Sequence, residues 1–322
     1  MIQIDKFGID ENYTMTDAIE SVRKALVLHE EGKTQIPVRT SLDIKSKQGT
    51  CLFMPGMIES MDLIGVKIVS VYPGNAKVGL ENVPSEMILL DGETGYVKAM
   101  INGTRLTEIR TGAVSAIATD IVCPKNVKKA AIIGTGGQAP CQIEGILTVR
   151  NINTVNIAAR SYEKTVEFTK EMTRIFGKRF GTEFIACRTV EEAVEEADIV
   201  TTATTSKNPV IRRGMLKQNV HINAVGSFRR DMQEIHEDII GDASFILVDN
   251  MEGVLKEAGD LLIPMEKGMI EKKDFNAELG SFVSGRKKYS ETGGVTLFET
   301  VGFGALDLVV ANDILNKFKS KI

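Results

Sequence analysis

Three basic residues and one glycine-rich turn are the parts of this sequence equipped for chemistry. Arg39 stands in QIPVRT, Lys67 in GVKIVSVYPGN and Arg110 in RLTEIRTGAVSAIAT, each in or beside an apolar or small-residue setting. Lys67 poses the sharpest question, because Val66, Ile68, Val69 and Val71 around it are strand formers. A lysine in such a run either points out to water or is used, and a buried cation needs a partner. No equal set of acids lies nearby in the sequence. The economical partner is therefore the carboxylate of a ligand, although each of the three, taken singly, also reads as a snorkelling surface residue.

The turn is GTGGQA at 134–139, which fits G-x-G-x-x-G/A through Gly134, Gly136 and Ala139, with Thr135, Gly137 and Gln138 between them. It follows the apolar run AAII and opens a helix, the setting in which this pattern binds a dinucleotide. Its glycines let the backbone approach a pyrophosphate, and the helix N-terminus offers free N–H groups and the positive end of a dipole. The end of the next strand bears on which dinucleotide. An acid there bonds the ribose 2′-hydroxyl of NAD, whereas this chain has Ala158-Ala159-Arg160-Ser161. Without a carboxylate to repel it, a 2′-phosphate can be held by Arg160 and Ser161, so NADP(H) is favoured and NAD(H) is the alternative. Arg160 as a plain solvated loop charge is the competing account. Thr204, Thr205 and Ser206 close the strand DIVTTAT, at the edge where ligands sit in such sheets, and either line the nicotinamide ribose or cap the next segment. Val225 and Gly226, in HINAVGS, are counted with the cofactor-binding residues.

The elements that must position these groups follow from the pattern of apolar residues. Thr16 to Glu31 reads as an amphipathic helix with Thr16 as its N-cap. From Ile36 to Met100, short apolar or alternating runs separated by Gly, Pro and Asn predict a mostly antiparallel β region, with DGETG at 91–95 as a hairpin turn. Leu106 to Ile121 predicts a helix whose small residues, Gly112 to Ala116, suit close packing in a core or across a dimer interface. From Val127 strands and helices alternate, which predicts a doubly wound parallel sheet. After residue 295 a strand piece and a C-terminal helix follow, and the helix is expected to pack back on the N-terminal domain. The fold class is thus α/β, a Rossmann domain plus an α+β N-terminal domain, with expected bounds of 1–122 with 300–322 for the latter and 123–299 for the former.

Bulk properties narrow the function classes. A net charge of −4 provides no basic field for nucleic acid or an anionic membrane. No apolar run approaches the ~18 residues of a membrane span, and MIQIDKFGIDENY lacks the layout of a signal peptide. Four scattered cysteines without a CxxC pair, and three dispersed histidines, predict free thiols in a cytoplasmic protein and no metal site.

The chain resembles the ornithine cyclodeaminase/μ-crystallin family. The residues that carry the resemblance are Pro37-Val38-Arg39, Phe53-Met54-Pro55, Gly65-Val66-Lys67, Val71-Tyr72-Pro73-Gly74-Asn75, the stretches 107–119, 134–139 and 197–206, Asn223 to Gly226, and Thr296-Leu297-Phe298. The resemblance implies that Arg39, Lys67 and Arg110 grip a substrate carboxylate, with Lys67 paired to ligand rather than to a protein acid, and that the N-terminal domain forms a homodimer. It also implies two acidic positions in the cyclodeaminases of the family. This chain has Leu52 at one and Phe228 at the other, unless a shift of alignment restores Asp231. An apolar pair suits a small imino or amino acid without a distal ammonium. The expected activity is NAD(P)H-dependent reduction of a cyclic ketimine carboxylate, Δ1-pyrroline-2-carboxylate or Δ1-piperideine-2-carboxylate. Ornithine cyclodeaminase, alanine dehydrogenase, an opine-type dehydrogenase and a non-catalytic NADPH- and ligand-binding protein are the alternatives. Arg229 and Arg230 either approach phosphate or substrate, or belong to a solvated loop.

Overall fold

The computed structural model describes residues 1–291 and 293–321. Two compact units emerge, one from residues 1–110 with 303–322 and one from residues 111–302. The division falls within a single helix, Gly103–Val122, rather than after it as the sequence bounds have it. That helix starts three residues earlier than its apolar pattern, with Asn102 accepting from the Arg105 N–H at its start.

In the first unit six strands form one sheet: β1 (Ile2–Ile4), β2 (Thr40–Ile44), β3 (Gly49–Ile58), β4 (Leu63–Val71), β5 (Ser85–Asp91) and β6 (Val97–Asn102). Their order is β1-β6-β5-β4-β3-β2, antiparallel except for β1 beside β6. One face is covered by the helix Gly304–Lys319, which packs in turn on the helix Met15–Glu30. The sheet admits it closely because Gly56 and Gly65 carry no side chains: a Cβ at either would lie within 2.9 Å of Leu308. The C-terminal helix therefore packs on the N-terminal unit, as expected of a helix outside the alternating block. Thr14, not Thr16, is the N-cap of Met15–Glu30. Its hydroxyl accepts from the Asp17 N–H while Asp17 accepts from the Thr14 N–H, a capping box that starts the helix one residue before Thr16.

The second unit is an eight-stranded parallel sheet of β7 (Lys129–Ile133), β8 (Thr154–Ala158), β9 (Glu183–Ala186), β10 (Ile199–Thr202), β11 (Val220–Ala224), β12 (Ala243–Val248), β13 (Ala277–Glu278) and β14 (Val295–Glu299). The order β13-β12-β14-β11-β10-β7-β8-β9 reverses direction between β7 and β10, the switch point at which doubly wound sheets bind ligands. Gly112 and Gly145 settle the role of the small-residue helix. A Cβ on Gly112 would meet the Cys141 carbonyl at 2.3 Å, and one on Gly145 the Gly112 carbonyl at 2.5 Å, so these glycines serve packing inside the unit. All four cysteines are free thiols. Among the described residues no cluster fit for a metal occurs, and no helix is long and apolar enough to cross a membrane.

The core holds one neutral histidine. His221 is fully buried on β11 between the Thr296 hydroxyl at 2.9 Å and Asn223 Oδ1 at 3.2 Å. Because the Asn223 amide nitrogen donates to Thr119, its Oδ1 must accept from His221 Nε2–H, which leaves Nδ1 to accept from Thr296. Burial, opposed by the Asn223 bond, brings the imidazole down to about 4. A base that protonates more readily in the unfolded chain costs stability as pH falls. The unit is expected to keep this contribution above about pH 6.5 and to lose roughly 1.4 kcal/mol per pH unit down to about pH 4. Urea midpoints across that window check it, and a His221→Gln variant should lose that part of the slope.

Candidate active site

In the first unit the structure gathers three of the cations. Lys67 lies mid-strand in β4 with its side chain on the helix-covered face, and Met54 of β3 is its cross-strand neighbour. Arg39 lies one residue before the Thr40–Phe53 pair that opens the β2–β3 ladder, and close enough that its charge acts on Lys67. Arg110 approaches from the helix Gly103–Val122 and is also buried. Leu52 is opposite Val69, on the same face as Lys67 and half-buried.

The expectation that Lys67 lacks a protein acid is corrected here. Its Nζ lies 2.5 Å from Asp307 Oδ2, and Arg110 Nε donates to Asp307 Oδ1 at 3.0 Å. The acid comes from the helix Gly304–Lys319, separated from Lys67 by 240 positions, so no local reading could pair them. The available signal was the residue itself: Asp307 interrupts the apolar run GALDLVVA, and an acid on a buried helix face needs a cation. Two buried cations share one carboxylate, which leaves one positive charge in excess in a setting where charge is costly to bury. Burial, with Arg110 and Arg39, lowers the Lys67 ammonium below its ordinary range against the pull of Asp307. Burial alone would raise the Asp307 carboxyl, but Lys67 and Arg110 outweigh it and hold the group below the usual carboxylate range.

In the second unit the glycine turn joins β7 to the helix Ala139–Val149. Gly134 adopts φ +111°, and a Cβ there would strike the Ala203 carbonyl at 2.5 Å, so the turn presses against the end of β10. Above Gly136 a Cβ would meet nothing within 4 Å. Gln138, at the N-cap, makes no side-chain cap bond, and its Oε1 is buried without a partner among the described residues. Open space over a glycine and an uncapped helix start with free N–H donors are what a dinucleotide pyrophosphate requires. The residues fit that group. Pro140 follows at the start of the helix, where a missing N–H costs nothing.

Around this turn the other expected residues divide. Arg160 is exposed at the end of β8. Ser161 is already engaged: its hydroxyl caps the next helix through the Lys164 N–H and donates to Glu163 at 3.0 Å. Arg188, stacked on Tyr162 with 4.3 Å to the ring centroid, is a second cation on that rim which the sequence pattern did not reveal. The side chains of Thr204 and Ser206 serve the local turn, accepting from Ser206 N–H and Asn208 N–H. Thr205 lies between them and is exposed. Gly226 follows Val225 at the end of β11 and must be glycine, because a Cβ would lie 2.2 Å from the Thr204 carbonyl. Phe228 is 37% exposed. Asp231 is held by Arg229 and Lys207, which bring its carboxyl down to about 2, so it is a surface ion-pair member and not a free acid at the site. Arg230 pairs with Glu266 in the same exposed loop.

A model of the ornithine cyclodeaminase/mu-crystallin family matches residues 4–322. The chain belongs to that family. Within it, a Delta(1)-pyrroline-2-carboxylate reductase of Bacillus cereus is 38% identical over 304 residues, covering 94% of this chain and 92% of the relative. A ketimine reductase mu-crystallin of Mus musculus is 30% identical, covering 90% and 87%. Among solved structures, the Thermococcus litoralis Delta(1)-pyrroline-2-carboxylate reductase in complex with NADH and L-proline superposes with a TM-score of 0.94 at 35% identity, covering 100% and 98%.

Removing the shared acid tests the cation group directly. Asp307→Ala leaves Lys67 buried without its counter-charge, and a loss on the order of 3–5 kcal/mol is expected in denaturant unfolding. Because the folded Asp307 carboxyl lies low, its contribution in the wild type is present above the unfolded carboxylate value, ~pH 4, and fades only as pH falls through the lower folded value.

Proposed function

We propose that the chain reduces a cyclic ketimine carboxylate, Δ1-pyrroline-2-carboxylate or its six-membered Δ1-piperideine analogue, to the cyclic amino acid with NAD(P)H. The observation that carries this reading is the Lys67–Asp307–Arg110 group, whose excess positive charge stands on the same sheet face as apolar Leu52 rather than a second acid. That combination suits a substrate with a carboxylate and no distal ammonium. The identity to reductases of this substrate over nearly the whole chain supports it.

In this reading Arg39 and Arg110 hold the substrate carboxylate. Arg110 bonds Asp307 through Nε, which leaves its Nη1 and Nη2 fork for two parallel bonds to a ligand. Holding the imine in place supplies orientation, the main contribution binding makes to such a transfer. When bound, a reduced nicotinamide supplies the hydride. As the C=N double bond becomes single, the electron pair left on nitrogen takes a proton from Lys67, whose ammonium is held below its ordinary range by burial and is so a readier general acid. Asp307 fixes the Lys67 ammonium while it is charged. NADP(H) is the favoured dinucleotide, because β8 ends without an acid and Arg160 and Arg188 line the rim. The chain forms a homodimer in the same reading. The face of the six-stranded sheet turned away from the helix Gly304–Lys319 is apolar and only half-buried, through Phe53, Val66, Ile68, Ile88, Leu90 and Met100.

NADPH and NADH oxidation with Δ1-pyrroline-2-carboxylate, read beside ammonia release from L-ornithine, tests the activity. Fast oxidation with NADPH and no ammonia is expected, and ammonia without net oxidation would make the chain a cyclodeaminase instead. Lys67→Met should abolish turnover. Lys67→Arg, which keeps the charge but not a transferable proton, should flatten the decline in rate that the wild type shows as pH rises through the lowered Lys67 range. Light scattering checks the assembly: a dimer is expected for the wild type and a monomer for Ile68→Asp.

A further inference from the structure

Beneath the strand ends of the second unit lies a group of carboxyls that the proposed reaction does not use: Glu234, Asp249, Asp260 and Glu299, all buried. Glu234 is the one that touches the candidate dinucleotide site. Its Oε1 accepts from the Thr204 N–H at 2.5 Å and its Oε2 from the Gly226 N–H at 2.7 Å. Thr204 follows β10 and Gly226 follows β11, so one side chain spans the ends of two neighbouring strands. Its own backbone is fixed as well. Asp260 Oδ1 accepts from the N–H groups of Glu234 at 2.7 Å and Ile235 at 2.8 Å, and the Asp260 N–H donates to the Ser227 hydroxyl. The Gln233 N–H donates to the Ser206 carbonyl, and the Glu234 carbonyl accepts from Val210 at 2.7 Å.

We propose that Glu234 is a positioning residue for the dinucleotide site, holding the backbone at Thr204 and Gly226 in its binding arrangement before the cofactor arrives. The inference rests on the reading that these two strand ends receive the nicotinamide half of the cofactor. The close packing of Gly226 against the Thr204 carbonyl gives these segments little room to adjust, and both N–H groups would otherwise be buried or turned toward the ligand. Glu234 does not touch the reacting atoms in this account. Its effect is on the cost of ordering the site.

The hydrogen-bond pattern distinguishes this role from general support of the core. Both oxygens of Glu234 accept a backbone N–H, so Glu234→Gln sets an amide NH2 against one of the donors. Only Oδ1 of Asp260 accepts, and its Oδ2 has no partner among the described residues, so Asp260→Asn preserves every bond that the side chain accepts. Dissociation constants and KM for NADPH and NADH, with KM for the imino acid and the melting temperature, are measured in both full-length variants. Glu234→Gln is expected to weaken the dinucleotide by about tenfold or more, the loss of one good hydrogen bond plus a clash of donors, with the imino-acid KM held within about twofold. Asp260→Asn is expected to bind like the wild type, and Glu234→Asp to weaken the dinucleotide less than Glu234→Gln. Hydrogen exchange on the cofactor-free wild type adds a reading that does not depend on a variant folding: the Thr204 and Gly226 amides should already be protected. Wild-type dinucleotide affinity in Glu234→Gln, or fast exchange at both amides until NADPH is added, would overturn the inference while leaving the reductase reading intact. A wild-type protein that bound neither dinucleotide would overturn both.

Discussion

One carboxylate organises the first unit. Asp307 meets Lys67 on one oxygen and Arg110 on the other, and all three are buried. An ion pair taken out of water survives only when its geometry and bonds repay the desolvation. Here the arrangement is set by a helix that must lie close on the sheet, and the bare backbones of Gly56 and Gly65 let Leu308, the residue after the acid, sit against β3 and β4. Packing and charge therefore fix each other. The glycines set how near the helix comes, and that approach puts the acid within reach of a lysine in the middle of a strand.

The excess of cations over acids has a second effect. A protein that balances its buried charges has little reason to bind an anion, and one that leaves a cation short has a standing one. Lys67 and Arg110 are held in place by less negative charge than they carry, with Arg39 adding to the field. Asp307 answers part of the charge of the group, and under the proposed function the part left unanswered is what a substrate carboxylate would meet.

How much of this the sequence disclosed depended on distance along the chain. The glycine turn between a strand and a helix was legible because Gly134, Gly136 and Ala139 lie within six residues, and the strand before and helix after them speak the same local grammar. The alternation of β and α from residue 127 onward made the parallel sheet legible for the same reason. Thr14 was missed as an N-cap because two threonines stand two apart and only the Asp17 reciprocal bond chooses between them. Asp307 and Glu234 were invisible for a different cause. Each acts through partners that the chain reaches only after folding, Lys67 at 240 positions and Thr204 at 30. The occupation of Ser161 by its own helix cap and by Glu163 is likewise a matter of side-chain geometry that residue type alone leaves open.

The path of the chain through its two sheets carries a consequence for how the molecule is made. β14 is inserted between β11 and β12, in the interior of the parallel sheet, and the helix that follows it covers the other unit's sheet and delivers Asp307. Neither unit can close while residues from 295 onward are still inside a ribosome. The emerging chain must hold an incomplete sheet, with β11 and β12 lacking the strand between them, and Lys67 without Asp307, until the residues from 295 to 319 appear. Such long-range closure is slow and leaves unpaired edges open to other chains until β14 and the helix after it are in place.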